Sequence, residues 1–128
     1  MKVFVVENYP IMRGRLLEML NVINELKVTG ISGRVEEAYD MISKEKPDVV
    51  ILDMELYEGS GLRVLKNIKS DYPDITTIVF TNMVNNIVRE KCKQHGADHF
   101  FDKSFEFERL PEVLKQLRDL QNGNVIAE

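Results

Sequence analysis

Apolar residues follow two different rhythms along this chain. Val3-Phe4-Val5-Val6, Val49-Val50-Ile51-Leu52 and Ile75-Thr76-Thr77-Ile78-Val79-Phe80 are short, β-branched and nearly continuous. Strands buried on both faces of a parallel sheet read this way. Between these runs apolar positions return every three or four residues: Met12, Leu16, Met19, Leu20 and Ile23; Val35, Ala38, Tyr39 and Ile42; Leu62, Leu65 and Ile68; Leu110, Val113, Leu114, Leu117 and Leu120. That spacing gathers them on one face of a helix.

Punctuation residues set the expected boundaries. Pro10 suits a first helical turn, and the first helix is predicted to run from there to about Asn24. The second stops before Pro47, because the residue preceding a proline is steered out of the helical region. A third runs from Gly61 to near Asp71. A fourth, from about Val84 to His95, is closed by Gly96, the residue that most easily takes a left-handed cap. Lys27 to Ser32 alternates and contains Gly30, so it reads as a less regular or edge strand. Asp98 to Asp102 is the fifth strand signal, and Met54 to Ser60 reads as a loop. Five strands alternating with five helices predict an α/β fold with a parallel sheet covered on both faces.

Composition narrows the class. A chain of 128 residues, 44% hydrophobic and 30% charged, is expected to form one globular domain over residues 1–121, followed by a short polar tail, 122–128. The N-terminal apolar run is too short for a signal peptide and no segment approaches membrane-spanning length, so a cytoplasmic location without membrane contact is expected. The single cysteine, Cys92, excludes an internal disulfide. It shares helical spacing with Val84 and Val88 and reads as buried packing. A net charge of −4 with no basic cluster argues against direct nucleic-acid binding. His95 and His99 have no metal-binding partner spacing, and Met12, Met19 and Met41 read as core filling.

Chemistry enters where the strands stop. The first ends on Glu7-Asn8, the third on Asp53, the fourth on Thr81, and the fifth delivers Lys103. In open α/β sheets the crevice at the carboxyl ends of the strands is where ligands sit. Each residue alone has an ordinary role: a charge at the start of a helix, a turn aspartate, a β-forming threonine, a solvated lysine. Arriving at one edge from four strands, they form a candidate site.

In that order and on those elements, Glu7-Asn8, Asp53, Gly61, Thr81, Phe100 and Lys103 resemble the receiver domain of two-component response regulators, the CheY-like fold. Glu7-Asn8-Tyr9-Pro10, the strand ending at Asp53, Gly96-Ala97-Asp98 and Lys103-Ser104 look most like its NarL/FixJ-type members. The resemblance covers residues 2 to about 121. It implies a (βα)5 doubly wound, flavodoxin-like five-stranded sheet in the order 2-1-3-4-5. Asp53 would be the phosphoacceptor, supplied by a sensor histidine kinase, a phosphotransfer protein or a small phosphodonor. Thr81 and Lys103 would assist it, and Phe100 would be the switch aromatic of an output face on the fourth helix, fifth strand and fifth helix, where Phe105 and Phe107 also lie. Beyond its own phosphorylation and dephosphorylation it implies no enzyme.

The family's cofactor is Mg²⁺, and the resemblance assigns it to Glu7, Asn8, Asp53 and the backbone carbonyl of Glu55. Family members usually have two acids where this chain has Glu7 and Asn8, and Lys-Pro where it has Lys103-Ser104. With Glu7 at minus one, a phosphoryl group at about minus two, Mg²⁺ at plus two and Lys103 at plus one, the phosphorylated pocket sums to roughly zero. Weaker Mg²⁺ binding before phosphorylation is the expected consequence of Asn8. Met54 and Met83, beside the site, would modulate water access. Output would go to a downstream protein, or to a DNA-binding domain if the chain is a fragment, and a homodimer is left open. Two alternatives stand beside this reading: a phosphorylation-independent receiver-like binding module, and a flavodoxin-like cofactor binder. The second lacks a Ser/Thr/Gly-rich phosphate loop after the first strand.

Overall fold

In the computed structural model, which describes residues 1–57 and 59–123, the continuous apolar runs form the interior of one sheet. Strands β1 (Lys2–Val6), β2 (Lys27–Ser32), β3 (Val49–Leu52), β4 (Thr76–Thr81) and β5 (His99–Asp102) lie in the order β2-β1-β3-β4-β5. Every neighbouring pair is parallel. Helices α1 (Pro10–Asn21), α2 (Val35–Glu45), α3 (Gly61–Asp71), α4 (Asn86–Gln94) and α5 (Arg109–Gln121) make the crossovers. This is the expected (βα)5 arrangement with the expected strand order.

Successive strand residues point to opposite faces, so each run supplies two cores. Phe4, Val6, Val50, Leu52 and Val79 pack against Val35, Ala38 and Ile42 of α2, Val64, Leu65 and Ile68 of α3, and Cys92 of α4. Val3, Val5, Val49, Ile51, Ile78 and Phe80 face Leu16 and Leu20 of α1 and Leu110 and Leu114 of α5. Burying one such aliphatic side chain contributes about 1.5–3 kcal/mol. Cys92 is buried as expected, its Sγ 3.5 Å from Met54 Sδ.

Several boundaries differ from the pattern-based reading, each for a local reason. α1 ends at Asn21 rather than Asn24, and Ile23 reaches the core from the following turn, where its N–H donates to the Leu20 carbonyl. α4 begins at Asn86 because the Asn85 side chain caps it, accepting from the Val88 N–H at 3.0 Å. Lys46, before Pro47, closes α2 in the left-handed region at φ 45° rather than in an extended one. Gly96, at φ 90°, completes the expected cap of α4, with Ala97 N–H on the Cys92 carbonyl and Gly96 N–H on that of Lys93. The expected loop after Asp53 contains a small antiparallel hairpin, Glu55–Leu56 with Gly59–Ser60. Residues 124–128 of the expected tail lie outside the described residues.

Register places the strand ends side by side. Val6 pairs with Leu52, Leu52 with Val79, and Thr81 with Asp102. The ladder continues one step further: Asp53 N–H donates to the Val6 carbonyl at 3.0 Å and Lys103 N–H to that of Thr81 at 2.9 Å. Gly61, opening α3, lies so close to this edge that a Cβ there would stand 1.9 Å from the Asp53 carbonyl oxygen. Gly14 in α1 has open space around it. Gly61→Ala is therefore expected to destabilise by about 1–3 kcal/mol, and Gly14→Ala to stabilise by about 0.5–1 kcal/mol. Urea unfolding of the two variants beside the parent checks both signs.

Candidate functional site

The four side chains delivered to the carboxyl edge are buried and bonded to one another. Exposure is 1% for Glu7, 2% for Asp53, 0% for Thr81 and 5% for Lys103. Lys103 Nζ lies 2.6 Å from Asp53 Oδ2 and 2.6 Å from Glu7 Oε1. The Thr81 hydroxyl donates to Asp53 Oδ1 at 2.7 Å, and the Glu55 N–H reaches the same oxygen at 3.2 Å. Glu7 Oε2 accepts the N–H groups of Asn8 and Tyr9, at 2.9 and 3.1 Å. Such charge-assisted bonds are what allow charges to persist in a buried place.

Burial pulls the Lys103 ammonium toward deprotonation, but hydrogen bonds to Asp53 and Glu7 and their negative charge hold it above the ordinary lysine value. The site therefore carries two carboxylates against one cation. Burial alone pushes the Cys92 thiol up, away from nucleophilic thiolate.

Asn8 departs from the others. Among the described residues its Oδ1 is the one buried side-chain polar atom with no hydrogen-bond partner. A hard oxygen left without a donor beside two carboxylates suits a divalent cation. Among the described residues no group of three or more His, Cys, Asp or Glu side chains could hold a metal, so a divalent ion here would draw on amide or carbonyl oxygen as well. Asn8, Asp53 and the Glu55 carbonyl are donors of that kind.

Other residues border the site that the pattern did not single out. Tyr9 places its ring 5.4 Å from Lys103 Nζ and donates its hydroxyl to Glu55 Oε2 at 3.3 Å. Arg13 Nε donates to the Glu7 carbonyl at 2.7 Å. Ser104 donates to Asn82 Oδ1 at 2.8 Å, tying together the loops that follow Thr81 and Lys103. The Tyr9 and Ser104 contacts join residues far apart in sequence, whereas Arg13 lies six positions from Glu7, and of the three Tyr9 and Ser104 stood out beforehand, only as part of the resemblance. Met54 and Met83 line a cavity of about 180 Å³ with Cys92 and Val88.

On the expected output face, Phe100 is half-buried against the α2–α3–α4 core, and the Arg89 guanidinium lies 4.5 Å from its ring centre. Phe101 points to the other core, as alternation requires. Phe107 packs onto Phe80 with Arg15 over its ring and is half-buried, whereas Phe105 is 89% exposed. Cross-strand alternation cannot reach Phe107, which lies in the turn before α5. His99 stacks on Phe101.

The family model described as "Response regulator receiver domain" matches residues 3–115. The chain is 28% identical over 116 residues to the DNA-binding transcriptional activator DevR/DosR of Mycobacterium tuberculosis, covering 91% of this chain and 54% of that protein. It is 35% identical over 98 residues to protein-glutamate methylesterase/protein-glutamine glutaminase 2 of Vibrio vulnificus, covering 77% of this chain and 26% of that protein. The crystal structure of the response regulator domain of Thermotoga maritima CheB superposes with a TM-score of 0.81 at 26% identity, covering 99% of this chain and 98% of that one. No described helix is long and apolar enough to cross a membrane.

Removing the cation from this cluster leaves two buried carboxylates facing each other. Lys103→Met is expected to cost about 3–5 kcal/mol in urea unfolding at neutral pH. Because the folded-state value of Lys103 is raised, its contribution is complete below the unfolded lysine value of about 10.4. It is lost as pH rises through the folded value. Unfolding curves of the parent across the alkaline range should show that loss, and the Lys103→Met variant should lack this component.

Proposed function

The chain belongs to the response regulator receiver domain family, and from that premise we propose that Asp53 is its phosphoacceptor. Receiver domains of this family work in two-component phosphorelay signalling, with histidine kinases upstream and effectors downstream. The observation that carries the assignment of Asp53 is its company: one carboxylate bonded at once to the Lys103 ammonium and the Thr81 hydroxyl in a buried cup.

A carboxylate oxygen of Asp53 attacks phosphorus, and the new P–O bond forms as the bond to the donor's imidazole nitrogen, or to acetate oxygen, breaks. The leaving group takes the electron pair. Anion approaching anion is the obstacle, and Lys103 offsets it by holding positive charge where the incoming oxygens gather. Thr81 can donate to a phosphoryl oxygen in place of Asp53 Oδ1. Its Oγ1 also accepts the Met83 N–H at 3.2 Å, so a shift of the hydroxyl is felt in the loop leading to α4. Asn8, Asp53 and the Glu55 carbonyl, with Glu7 beside them, are the residues that would hold Mg²⁺. The bound ion supplies further charge neutralisation and orients the phosphoryl oxygens. Asn8 in place of a second acid weakens that binding in the resting protein.

Output passes through the face made by α4, β5 and α5, where Phe100 reports the state of the Thr81 loop. The domain signals and catalyses no reaction beyond its own phosphorylation and dephosphorylation. Its donor is a phosphohistidine on a sensor kinase or phosphotransfer protein, and its target is a downstream protein or an attached effector domain.

Incubation with acetyl phosphate and Mg²⁺ should add one phosphoryl group to the parent, seen by intact-mass spectrometry, and none to Asp53→Asn. Lys103→Met should slow labelling by about 10²-fold or more. Equal labelling of the parent and Asp53→Asn would refute the assignment.

A further inference from the structure

The cavity that Met54 and Met83 share has no task in the phosphoryl chemistry. About 180 Å³ in volume, it lies between the loop after β3, the start of α3 and the first turns of α4. Met54, Leu62, Met83, Val88 and Cys92 make its apolar floor, and burial keeps the Cys92 thiol uncharged. An apolar hollow of about 150 Å³ stays dry and takes up a molecule the size of benzene. Methionine side chains, unbranched and polarizable, adapt their shape to such a guest. The fringe of the cavity, Ser60 and Lys91, has one character. Ser60 Oγ caps α3 by accepting the Leu62 N–H at 3.1 Å, and among the described residues its own O–H has no acceptor. Among the described residues the Lys91 ammonium has no acidic partner either, and no acid lines the cavity. Two donors without an acceptor above an uncharged floor are complementary to an anion on an apolar body.

We propose that this cavity binds a small monocarboxylate, its apolar body of about six carbons packed among Met54, Met83 and Cys92 and its carboxylate at Ser60 and Lys91. Volume sets the size of the body, and the fringe sets the charge. An acetate-sized anion leaves the floor uncovered, while an uncharged body leaves the donors without an acceptor. The position of the cavity adds a consequence, which rests on the reading of Asp53 as phosphoacceptor. Met83 N–H donates to Thr81 Oγ1 at 3.2 Å, and Met54 follows Asp53 in the chain. A guest packed against Met83 holds the Thr81 loop where it stands and opposes the shift of the hydroxyl toward a phosphoryl oxygen. Occupancy of the cavity and phosphorylation then disfavour each other, by the same factor in both directions.

Benzoate is the probe, titrated without any phosphodonor into the full chain carrying ¹³C-methyl methionine, with the Met54 and Met83 ε-methyl resonances as readout. In the parent both should move and saturate, with a midpoint of about 1 mM or below. Acetate should move neither. Benzyl alcohol should bind about two- to fivefold more weakly than benzoate, the worth of an exposed ion pair, and Lys91→Met should bring benzoate down to the level of the alcohol. Val88→Phe, which fills the hollow, should weaken both ring compounds by about tenfold or more; Leu62→Phe does the same should Val88→Phe fail to fold. Absence of saturable methyl shifts overturns the proposal, as does equal binding to the filled variant or equal benzoate affinity of the parent and Lys91→Met. The same shifts on raising the protein concentration alone would assign the cavity to a second copy of the chain and overturn it too. With Mg²⁺ and beryllofluoride, a stand-in for the phosphoryl group, the benzoate midpoint should rise by about fivefold or more. An unchanged midpoint in a chain that takes up beryllofluoride overturns the coupling. A chain that binds benzoate but takes up no beryllofluoride contradicts the Asp53 assignment and upholds the binding site, so the two failures are separate results.

Discussion

A single buried ammonium, held between two carboxylates, is the interaction on which this structure's working edge depends. Lys103 comes from the end of β5, Asp53 from β3 and Glu7 from β1, so the contact spans the middle of the sheet. Desolvating three charges is costly unless each is bonded on several sides. Here the Thr81 hydroxyl and three backbone N–H groups supply those bonds. The arrangement is possible only because the strands are parallel and in one register, which brings all their carboxyl ends to one place.

The interior beneath explains why that edge is held so closely. β3 is buried at every position and packs on both faces. Close packing of this kind transmits displacement instead of absorbing it. Gly61 shows how little slack there is, since even a methyl group would collide with the Asp53 backbone. Above the edge, the loops are joined by individual polar contacts, Tyr9 to Glu55 and Ser104 to Asn82. A rigid floor with separately fastened loops is the setting in which the proposed signal, a change at the carboxylate, would pass through the Thr81 loop toward α4 and Phe100.

Much of the fold was legible beforehand because its elements carry strong local signals. Continuous β-branched runs, three- and four-residue apolar spacing, Pro10 and Gly96 placed the strands and helices to within a few residues. The boundaries that moved were those decided by one side chain, such as the Asn85 cap, or by a backbone state such as that of Lys46. The hairpin after Asp53 was missed because rungs of two residues are too short to show alternation. That Phe107 is half-buried on Phe80 while Phe105 is exposed was not legible, because residues in a turn obey neither period.

The sequence by itself determined which residues the strands deliver to the edge, since each run simply stops on Glu7, Asp53, Thr81 or ahead of Lys103. It also carried the departure at Asn8. Only the tertiary structure decided who bonds to whom: that Glu7 turns to the lysine, that the Asn8 oxygen has no hydrogen-bond partner among the described residues, and that Tyr9 leans over the pocket. Strand periodicity is a property of neighbours along the chain, whereas these pairings join residues from separate crossovers, and their geometry exists only once the sheet has closed its register.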